Sequence, residues 1–416
     1  SNTTADNNTG VGALALAANT TGSENVAVGN YALDANTTAS NNTAVGYGSL
    51  SANTTGTSNV ALGTYALDAN TTASNNTAVG YTSLSDNTTG TSNTAIGRNA
   101  LGANTTADNN TAVGFDSLQS NITGSENVAV GRSALAVNTT GDNNIALGFN
   151  ALGANTTANN NIALGTYALD NNITGSENLA IGSSTLTNNT ASNNIALGYL
   201  ALKANTTGAS NVAVGTYALD ANTTASNNTA VGYQSLSANT TGYANVALGT
   251  TAGDLVTTGL YNTILGYDSG SSSINLTTGT GNTLVGSFCH TASAGANYAN
   301  GIGYDINADG NYTTVGKGAA DIRAEHGVAT WATVSDERYK KDIVDSTAGL
   351  SFINALQPRT FKYKTLGELP ETFRAYKADS TEVFKNSDTN HGFIAQEIKA
   401  AIDADSSIKD GFRLWD

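Results

Sequence analysis

Cysteine, methionine and charge are all scarce in this 416-residue sequence, and each scarcity excludes a class of protein. Cys289 is the only cysteine, so the chain can form neither an internal disulfide nor a cysteine-based metal site, and we interpret it as a buried thiol. No methionine occurs, even at position 1, and we therefore expect a further segment upstream. His290 and His326 have no ligand partners at metal-like spacing, so we expect no metal and no cofactor.

Charged residues make up only 12% of the chain, and the formal net charge is −15. No cluster of Lys and Arg occurs, which argues against nucleic acid or an anionic membrane as a partner, since both require basic residues on one face. The sequence has no apolar run of about 18 residues and no signal peptide at its start, so we expect no membrane insertion and see no secretion route.

The composition changes abruptly at Ser335. Residues 1–334 contain 5 Lys and Arg against 18 Asp and Glu, whereas residues 335–416 contain 12 and 14. The first part is rich in Gly, Asn, Thr and Ala, which is typical of a repetitive fibre, and the second has the mixed charge of a small globular domain. We therefore divide the chain into a fibre and a C-terminal domain at this point.

A 17-residue repeat organises the fibre. Its marker is the glycine that closes the pattern Asn-x-Ala-aliphatic-Gly, which recurs every 17 residues from Gly12 to Gly182 and, after one step of 16, from Gly198 to Gly266. Such a period is too short for two helices and a turn, and the Asn-Thr-Thr segments favour turns. Each repeat is therefore predicted to be one coil of a parallel β-solenoid, or β-roll. The Asn-Thr-Thr segments also match the N-glycosylation pattern, but we favour structural turns.

Four rows of residues keep fixed offsets from the marker. The aliphatic row contains Val28, Val45, Leu62, Val79, Ile96, Val113 and Val130; the leucine row contains Leu16, Leu33, Leu50, Leu67, Leu84, Leu101 and Leu118; the alanine row contains Ala27, Ala44, Ala61, Ala78, Ala95, Ala112 and Ala129; and the asparagine row contains Asn25, Asn42, Asn59, Asn76, Asn93, Asn110 and Asn127. The asparagine row is predicted to form a hydrogen-bonded ladder, and about fifteen coils at about 4.8 Å give a rod of about 70 Å.

Strand alternation gives the predicted orientation of these rows. We predict that Val45 and its equivalents point into the core, whereas Ala44 and its equivalents point the other way. Because nearly every coil has alanine at that position, we interpret the alanine row as a close contact between subunits. The sequence therefore predicts an oligomer of parallel chains, with a homotrimer as the favoured state.

The repeat loosens beyond residue 249, and five tyrosines in this region are candidate receptor-binding residues because aromatic faces beside Asn and Asp commonly hold sugars. They are Tyr261, Tyr267, Tyr298, Tyr304 and Tyr312. The alternative is that rings of this region cap the open end of the solenoid core. We predict a regular shaft at residues 1–249 and a degenerate tip, the candidate receptor-binding region, at residues 250–334. We expect no receptor contact on the regular shaft, since identical coils offer no unique shape.

The pattern Asn-x-Ala-Ile/Val-Gly resembles the head repeats of trimeric autotransporter adhesins and repeats of phage tail fibres, over about residues 1–266. The resemblance implies a trimeric, parallel β-roll. Three C-terminal motifs resemble the endosialidase-type intramolecular chaperone, a domain that ends many phage tailspikes and tail fibres. They are Ser335-Asp336-Glu337-Arg338-Tyr339-Lys340-Lys341-Asp342-Ile343, Leu356-Gln357-Pro358-Arg359-Thr360-Phe361-Lys362-Tyr363-Lys364 and His391-Gly392-Phe393-Ile394-Ala395-Gln396-Glu397.

The second resemblance implies that residues 335–416 trimerise the fibre, help it to fold and are then released by cutting between Val334 and Ser335. In that reaction Ser335 is the nucleophile and Lys340 is its base, which is chemically reasonable if burial lowers the pKa of the lysine. The residues alone are equally consistent with Ser335 as a helix N-cap and Lys340 in solvent. The family usually continues into a long helical segment that forms a three-stranded bundle, whereas this sequence stops at Asp416, so either the chain is truncated or that segment is absent.

Periodicity predicts an α+β C-terminal domain with a helix at Ala348–Leu356, a strand at Thr360–Lys364 and a helix at Phe393–Ile402. Together, the two resemblances imply that the whole chain is a homotrimeric phage tail fibre in the virion tail, which binds a host surface receptor such as a glycan. We expect no turnover activity, and the resemblance leaves open a single self-cleavage.

Three alternative functions are weighed. The first is a bacterial surface adhesin or extracellular filament, which would lie at the bacterial cell surface. The second is an ice-binding solenoid with a threonine row at Thr21, Thr38, Thr55 and Thr72. The third is a fibre that digests its receptor, for which no paired-carboxylate motif stands out.

Overall fold

The computed structural model describes residues 4–271, 274–327, 332–333, 350–371, 376–385 and 387–404. The chain separates into two units, Ser1–Ala332 and Thr333–Asp416. The first unit is a parallel β-solenoid, and the described residues of the second form two short helices and a two-stranded sheet, which confirms the predicted fold class. Within the described ranges, no helix is long and apolar enough to cross a membrane.

One three-residue strand per coil builds the solenoid. Each strand pairs in parallel with its equivalent in the next coil, so that Ala44, for example, lies beside Ala61. The strands of this series are β1 (Thr9–Val11), β2 (Val26–Val28), β3 (Thr43–Val45), β4 (Val60–Leu62), β5 (Thr77–Val79), β6 (Thr94–Ile96), β7 (Thr111–Val113), β8 (Val128–Val130), β9 (Ile145–Leu147), β10 (Ile162–Leu164), β11 (Leu179–Ile181), β12 (Ile195–Leu197), β13 (Val212–Val214), β14 (Thr229–Val231), β15 (Val246–Leu248), β16 (Thr263–Leu265) and β17 (Thr283–Val285). The marker glycine follows each of these strands directly.

The sheet ends in a hairpin. After β17 it continues in parallel through β19 and β21, and β22 then pairs antiparallel with β21. These later strands are β18 (His290–Thr291), β19 (Asn300–Tyr304), β20 (Asn307–Ala308), β21 (Tyr312–Lys317), β22 (Ala320–Glu325) and β23 (Ala332–Thr333). β23 belongs to the same 21-stranded sheet, whereas β18 and β20 form a separate parallel pair.

The alanine row, and not the aliphatic row, points into the coil. Ala44 is fully buried, whereas Val45 is 38% exposed, and the other coils repeat this pattern. The predicted orientation of the strand was therefore wrong, and so was the alanine row as a subunit contact. The physical reason is space: Leu50 and its equivalents belong to the same closely packed interior, which leaves room for only a methyl group on the strand.

The leucine row is buried from Leu33 onward, and its backbone adopts the left-handed conformation. In the coil that begins at Asn42, φ is 53° at Leu50 and 61° at Gly48. A left-handed non-glycine residue costs about 1–2 kcal/mol, and burial of a leucine side chain offsets this by about 1.5–3 kcal/mol. The marker Gly46 is required for another reason, since a Cβ there would collide with the carbonyl oxygen of Gly63 in the next coil.

The predicted asparagine ladder is confirmed. The backbone N–H of Asn42 donates to Oδ1 of Asn25 at 2.9 Å, and Nδ2 of Asn42 donates to the carbonyl of Gly56, also at 2.9 Å. The same backbone-to-side-chain bond recurs in successive coils as far as Asn282. The amides therefore satisfy buried backbone groups where the chain enters each strand.

A second asparagine ladder lies in the Asn-Thr-Thr segments, for which the sequence predicts turns only. Nδ2 of Asn36 donates to Oδ1 of Asn19 at 2.8 Å and to the carbonyl of Ala39 at 3.0 Å. Its fully buried members include Asn36, Asn53, Asn70, Asn87, Asn104, Asn121 and Asn138. Their burial leaves no space for a glycan, so the match to the glycosylation pattern has a structural origin.

The coils beyond residue 249 keep the architecture and repack its core. Ile264 replaces the strand alanine, while Gly253 replaces the leucine of the preceding coil. A Cβ on Gly253 would lie 2.8 Å from Cδ1 of Ile264, and a Cβ on Gly270 would lie 3.3 Å from the same atom. The larger strand residue therefore fills the volume that the two glycines release, and the interior remains closely packed.

The second unit contains α1 (Leu350–Ala355), β24 (Arg359–Phe361), a 3₁₀ turn (Leu366–Glu368), β25 (Asn390–Gly392) and α2 (Ala395–Ala404). Strands β24 and β25 pair antiparallel. The helix, strand and helix that the sequence predicts are thus all present, with boundaries that differ by one to three residues.

Candidate functional site

Two of the three C-terminal motifs meet in space. β24 carries the motif that begins at Leu356, β25 carries the motif that begins at His391, and the strand pair places Arg359 opposite Gly392. The guanidinium of Arg359 then donates two hydrogen bonds to Glu397, from Nε to Oε2 at 2.9 Å and from Nη2 to Oε1 at 2.8 Å. This bidentate geometry fixes the start of α2 against the start of β24.

The ion pair is solvent-exposed, and it shifts the pKa of both of its groups. The hydrogen bond from Arg359 lowers the pKa of Glu397, and the same bond raises the pKa of Arg359. Arg359 also donates from Nη2 to Oε1 of Gln357 at 2.7 Å. Sequence reasoning missed this cluster although all three residues lie in the quoted motifs, because nothing in their spacing shows that the motifs are adjacent.

Residues 335–405 match the family model described as the chaperone of endosialidase. The C-terminal segment is a domain of that family. The predicted resemblance is thereby confirmed, and the solenoid in front of the chaperone domain fits a tail fibre. The family also carries the name of a peptidase. No curated protein matches the chain.

Three predicted site residues of the chaperone domain and its junction, Val334, Ser335 and Lys340, lie outside the described residues. Their roles as cleavage junction, nucleophile and base therefore stay predictions. The structure brings together the second and third motifs, whereas the first motif, which contains Ser335 and Lys340, is outside the described part of the chain.

Two of the five candidate receptor tyrosines, Tyr267 and Tyr304, belong to one surface row. Phe288 lies between them, with ring centroids 5.3 Å from Tyr267 and 5.7 Å from Tyr304, both in edge-to-face geometry. The ammonium of Lys317 lies 5.8 Å from the ring centroid of Tyr304, within the range of a cation–π contact. Tyr267 and Tyr304 are solvent-exposed, and Phe288 lies half-buried between them.

Tyr261 and Tyr298 belong to a different row. The ring of Tyr261 contacts Tyr243, with centroids 5.2 Å apart and the two hydroxyls 3.2 Å apart, while Tyr298 packs over Gly281. Tyr312 belongs to neither row, since it lies half-buried on β21. The five tyrosines therefore do not form a single cluster.

The exposure of the tyrosines in the two rows tests whether these rings cap the solenoid core. Tyr261, Tyr267, Tyr298 and Tyr304 are 49–57% exposed, so they do not cover the end of the core. The interior of these coils is filled instead by apolar side chains such as Leu284 and Ile306. Capping is therefore wrong for these four rings, and their exposed faces remain available to a ligand.

Aromatic rows are not confined to the tip. Edge-to-face ring contacts with centroids 5.2–6.4 Å apart also occur on the regular shaft, in three groups: Tyr31, Tyr47 and Tyr65; Phe149 and Tyr167; and Tyr199, Tyr217 and Tyr233. Elsewhere the guanidinium of Arg98 lies 5.3 Å from the ring centroid of Phe115. The surface of the regular shaft therefore varies more from coil to coil than its core does.

The outward face of the strands forms a second long surface. Side chains that flank the buried alanine point outward, and many are large and apolar, including Val45, Leu62, Ile96, Val130, Leu147, Ile181 and Leu248, each at least 37% exposed. We call this surface the outer strand face. A continuous apolar strip of this kind is unusual on a monomeric soluble protein and is typical of an interaction surface.

Cys289 is fully buried, which confirms the interpretation of its thiol. Its Sγ lies 3.3 Å from the carbonyl oxygen of Gly303, and burial raises the pKa of the thiol. Within the described ranges, no three side chains of His, Cys, Asp or Glu meet in a metal-binding arrangement. The predicted threonine row at Thr38 and Thr55 is exposed, but it lies in the turns of the coils and not on a flat strand face.

Proposed function

We propose that this protein is a homotrimeric phage tail fibre that attaches the virion to its host, and that the chaperone domain drives its trimerisation and folding. The chaperone family suggests a phage tail protein and implies trimer formation. The observation that carries the proposal is the outer strand face, an apolar surface that runs along the shaft and that a single chain leaves in water.

The outer strand face takes the place of the alanine row as the subunit interface. Its apolar residues recur once per coil, at about 4.8 Å along the axis, so a partner with a different repeat would lose register after a few coils. An identical chain in parallel orientation keeps register over the whole shaft. Three copies around one axis would bury the three strips in a common core, which is the largest gain available to this surface.

The chaperone domain is proposed to leave after assembly. In this step Oγ of Ser335 attacks the carbonyl carbon of Val334 while the amine of Lys340 accepts the hydroxyl proton. The Val334–Ser335 amide bond then breaks as the lysine passes that proton to the nitrogen of Ser335, which leaves as a free amine, and Val334 is then joined to Oγ of Ser335 as an ester. Water then hydrolyses the resulting ester. Loss of the domain would make folding of the fibre kinetically irreversible, because the remaining chains could not reassemble without it.

A denaturing gel tests the cleavage proposal. The protein, produced with any residues that follow Asp416 in the gene, should give two bands, whereas Ser335→Ala and Lys340→Ala should each give one. Lys341→Ala is the matched control, since it removes the neighbouring lysine and should leave cutting intact. One uncut band from a correctly assembled wild-type trimer would refute self-cleavage and leave the domain as a retained trimerisation cap.

Host attachment is proposed to use the tip, residues 250–334, through the exposed rings of Tyr261, Tyr267, Tyr298 and Tyr304, with Tyr312 as a further candidate. A fragment of residues 1–249 should fail to bind host cells that the longer fibre binds. Full binding by the fragment would place the receptor site on the shaft. The alternative function, a bacterial surface adhesin, predicts that the protein is found on cell envelopes and is absent from purified virions.

A further inference from the structure

One coil of the shaft differs from all its neighbours at a surface position. The second residue after the marker glycine has a positive φ and carries a side chain in the other regular coils, for example Tyr31, Tyr65, Thr82 and Gln234. In the coil that begins at Asn42 this residue is Gly48. From Gly12 to Gly266, Gly48 is the only glycine at this offset.

The missing side chain opens a pocket. Its volume is about 230 Å³, and it is lined by Tyr31, Asp34, Tyr47, Gly48, Ser51 and Tyr65. The ring centroids are 5.8 Å apart for Tyr31 and Tyr47 and 5.4 Å apart for Tyr47 and Tyr65, and each pair is edge to face. All three rings are exposed. The pocket therefore presents aromatic surface to a ligand of about the size of a small organic group.

Asp34 gives the pocket an unmatched negative charge. Its Oδ1 is buried and has no hydrogen-bond partner among the described residues. Burial of a carboxylate oxygen without a donor or a cation is unfavourable. A ligand that brings positive charge to this oxygen would relieve that cost, whereas an anion would be repelled.

The surroundings favour a cation as well. The first 97 residues contain five acidic residues, Asp6, Glu24, Asp34, Asp68 and Asp86, and neither lysine nor arginine. A protein segment with charge of one sign raises the local concentration of ions of the opposite sign. Tyrosine faces attract cations through the ring quadrupole, and aromatic cages of this kind bind quaternary ammonium groups.

We propose that the Gly48 pocket binds an organic ammonium group, with the cation against the rings of Tyr31, Tyr47 and Tyr65 and opposite the carboxylate of Asp34. This inference goes beyond the proposed function, because it concerns the binding of a small cation by the purified protein and requires neither a virion nor a host cell. It also gives the regular shaft one unique site, which the repeat pattern does not predict.

Calorimetric titration with choline tests the proposal. Wild type should bind one choline per chain saturably. It should bind the neutral isostere, in which a tert-butyl group replaces the trimethylammonium group, at least about tenfold more weakly than choline. Gly48→Gln should abolish binding, because the new side chain fills the pocket. The backbone conformation accepts a side chain, since Gln234 occupies the same offset with φ of 53°, against 61° at Gly48. A Cβ on Gly48 would lie 3.0 Å from Cδ1 of Tyr65, so that exposed ring must move slightly. An unchanged melting temperature would show that the variant is folded.

Two further variants complete the test. Asp34→Asn keeps the shape of the pocket and removes its charge, so choline should bind at least about tenfold more weakly. Thr82→Gln changes the same offset in a coil without the pocket, and it should bind choline as wild type does. The proposal is overturned if wild type shows no saturable binding of choline, if Gly48→Gln or Asp34→Asn binds it unchanged, or if the neutral isostere binds equally well.

Discussion

The solenoid and the C-terminal unit stabilise themselves in different ways. In the solenoid every coil repeats the same small set of contacts, with alanine and leucine inside and two asparagine ladders along the axis. In the C-terminal unit the described contacts are unique and largely exposed, such as the ion pair between Arg359 and Glu397. Periodic structures add up many identical interactions between neighbours, so one substitution in a coil reports on all coils.

The largest expected difference between the two units is in the free energy of unfolding that is lost when one side chain is removed, and we expect it for an amide of the first asparagine ladder. Asn59→Ala removes the acceptor at 3.0 Å from the backbone N–H of Asn76 and the donor at 2.8 Å from the carbonyl of Ala73. Because a buried N–H is left unpaired, the free energy of unfolding of the solenoid should fall by on the order of 3 kcal/mol. Calorimetry should show this fall. The control is Thr55→Ala, which changes an exposed residue and should leave the free energy of unfolding within about 0.5 kcal/mol of wild type. Equal effects of the two changes would contradict the account.

A second prediction concerns the two sides of one strand. Ala61→Leu places a large side chain in a filled interior and should destabilise the coil by about 2 kcal/mol. Leu62→Ala, on the outer strand face, should leave the stability of an isolated chain nearly unchanged and weaken assembly instead. The measurement is thermal unfolding at several protein concentrations, because only the assembly term depends on concentration. A larger loss for Leu62→Ala in the dissociated chain would reverse the assignment of the faces.

A third prediction concerns the ion pair of the C-terminal unit. Arg359→Ala should destabilise that unit by less than Asn59→Ala destabilises the solenoid, since both partners are exposed and solvent screens their attraction. The effect should shrink further at high salt. A double-mutant cycle with Glu397→Ala measures the pair directly. A coupling that is independent of salt would show that packing, and not charge, holds α2 against β24.

The smallest expected effect is on the pH dependence of stability, which should have opposite signs in the two units. Burial raises the pKa of Asp68, Asp170 and Asp220, so their contribution to solenoid stability is present below about pH 4 and is lost as the pH rises through the higher folded values. Hydrogen bonds lower the pKa of Glu368 and Glu397, so their contribution is present above about pH 4 and is lost as the pH falls.

Calorimetry at about pH 3 and pH 7 should therefore show opposite shifts of the two unfolding transitions. Asp68→Asn should reduce the pH-dependent shift of the solenoid's unfolding transition and leave the shift of the C-terminal unit's transition unchanged. Parallel shifts of both transitions would contradict the assignment of these carboxylates to their environments.

The period of the sequence predicts much of the solenoid. The parallel strands, their register and the burial of Leu50 and its equivalents follow from the fixed offsets, and so does the ladder through Asn42. The orientation of the strand does not follow, because alternation defines two faces and only the space inside the coil decides which one is buried. The greater hydrophobicity of Val45 over Ala44 pointed to the wrong face.

Other features depend on contacts that no offset reveals. The second ladder occupies segments whose composition is equally typical of turns. The aromatic rows combine two offsets, since Tyr31 and Tyr65 are the second residue after the marker glycine whereas Tyr47 is the first. In the C-terminal unit, the contact between Arg359 and Glu397 spans 38 residues, and only the strand pair brings its partners together.

The account rests most directly on the outer strand face as the interface of a trimer. Its test is the mass of the assembled protein in solution, measured by light scattering for wild type and for the triple variant Val45→Asp, Leu62→Asp and Val79→Asp. We predict three chains for wild type and one chain, with the solenoid still folded, for the variant. The matched change on the exposed threonine row, Thr38→Asp, Thr55→Asp and Thr72→Asp, should leave the trimer intact. A variant that stays trimeric with three aspartates on the outer strand face, or a wild type that is monomeric, would contradict the central claim.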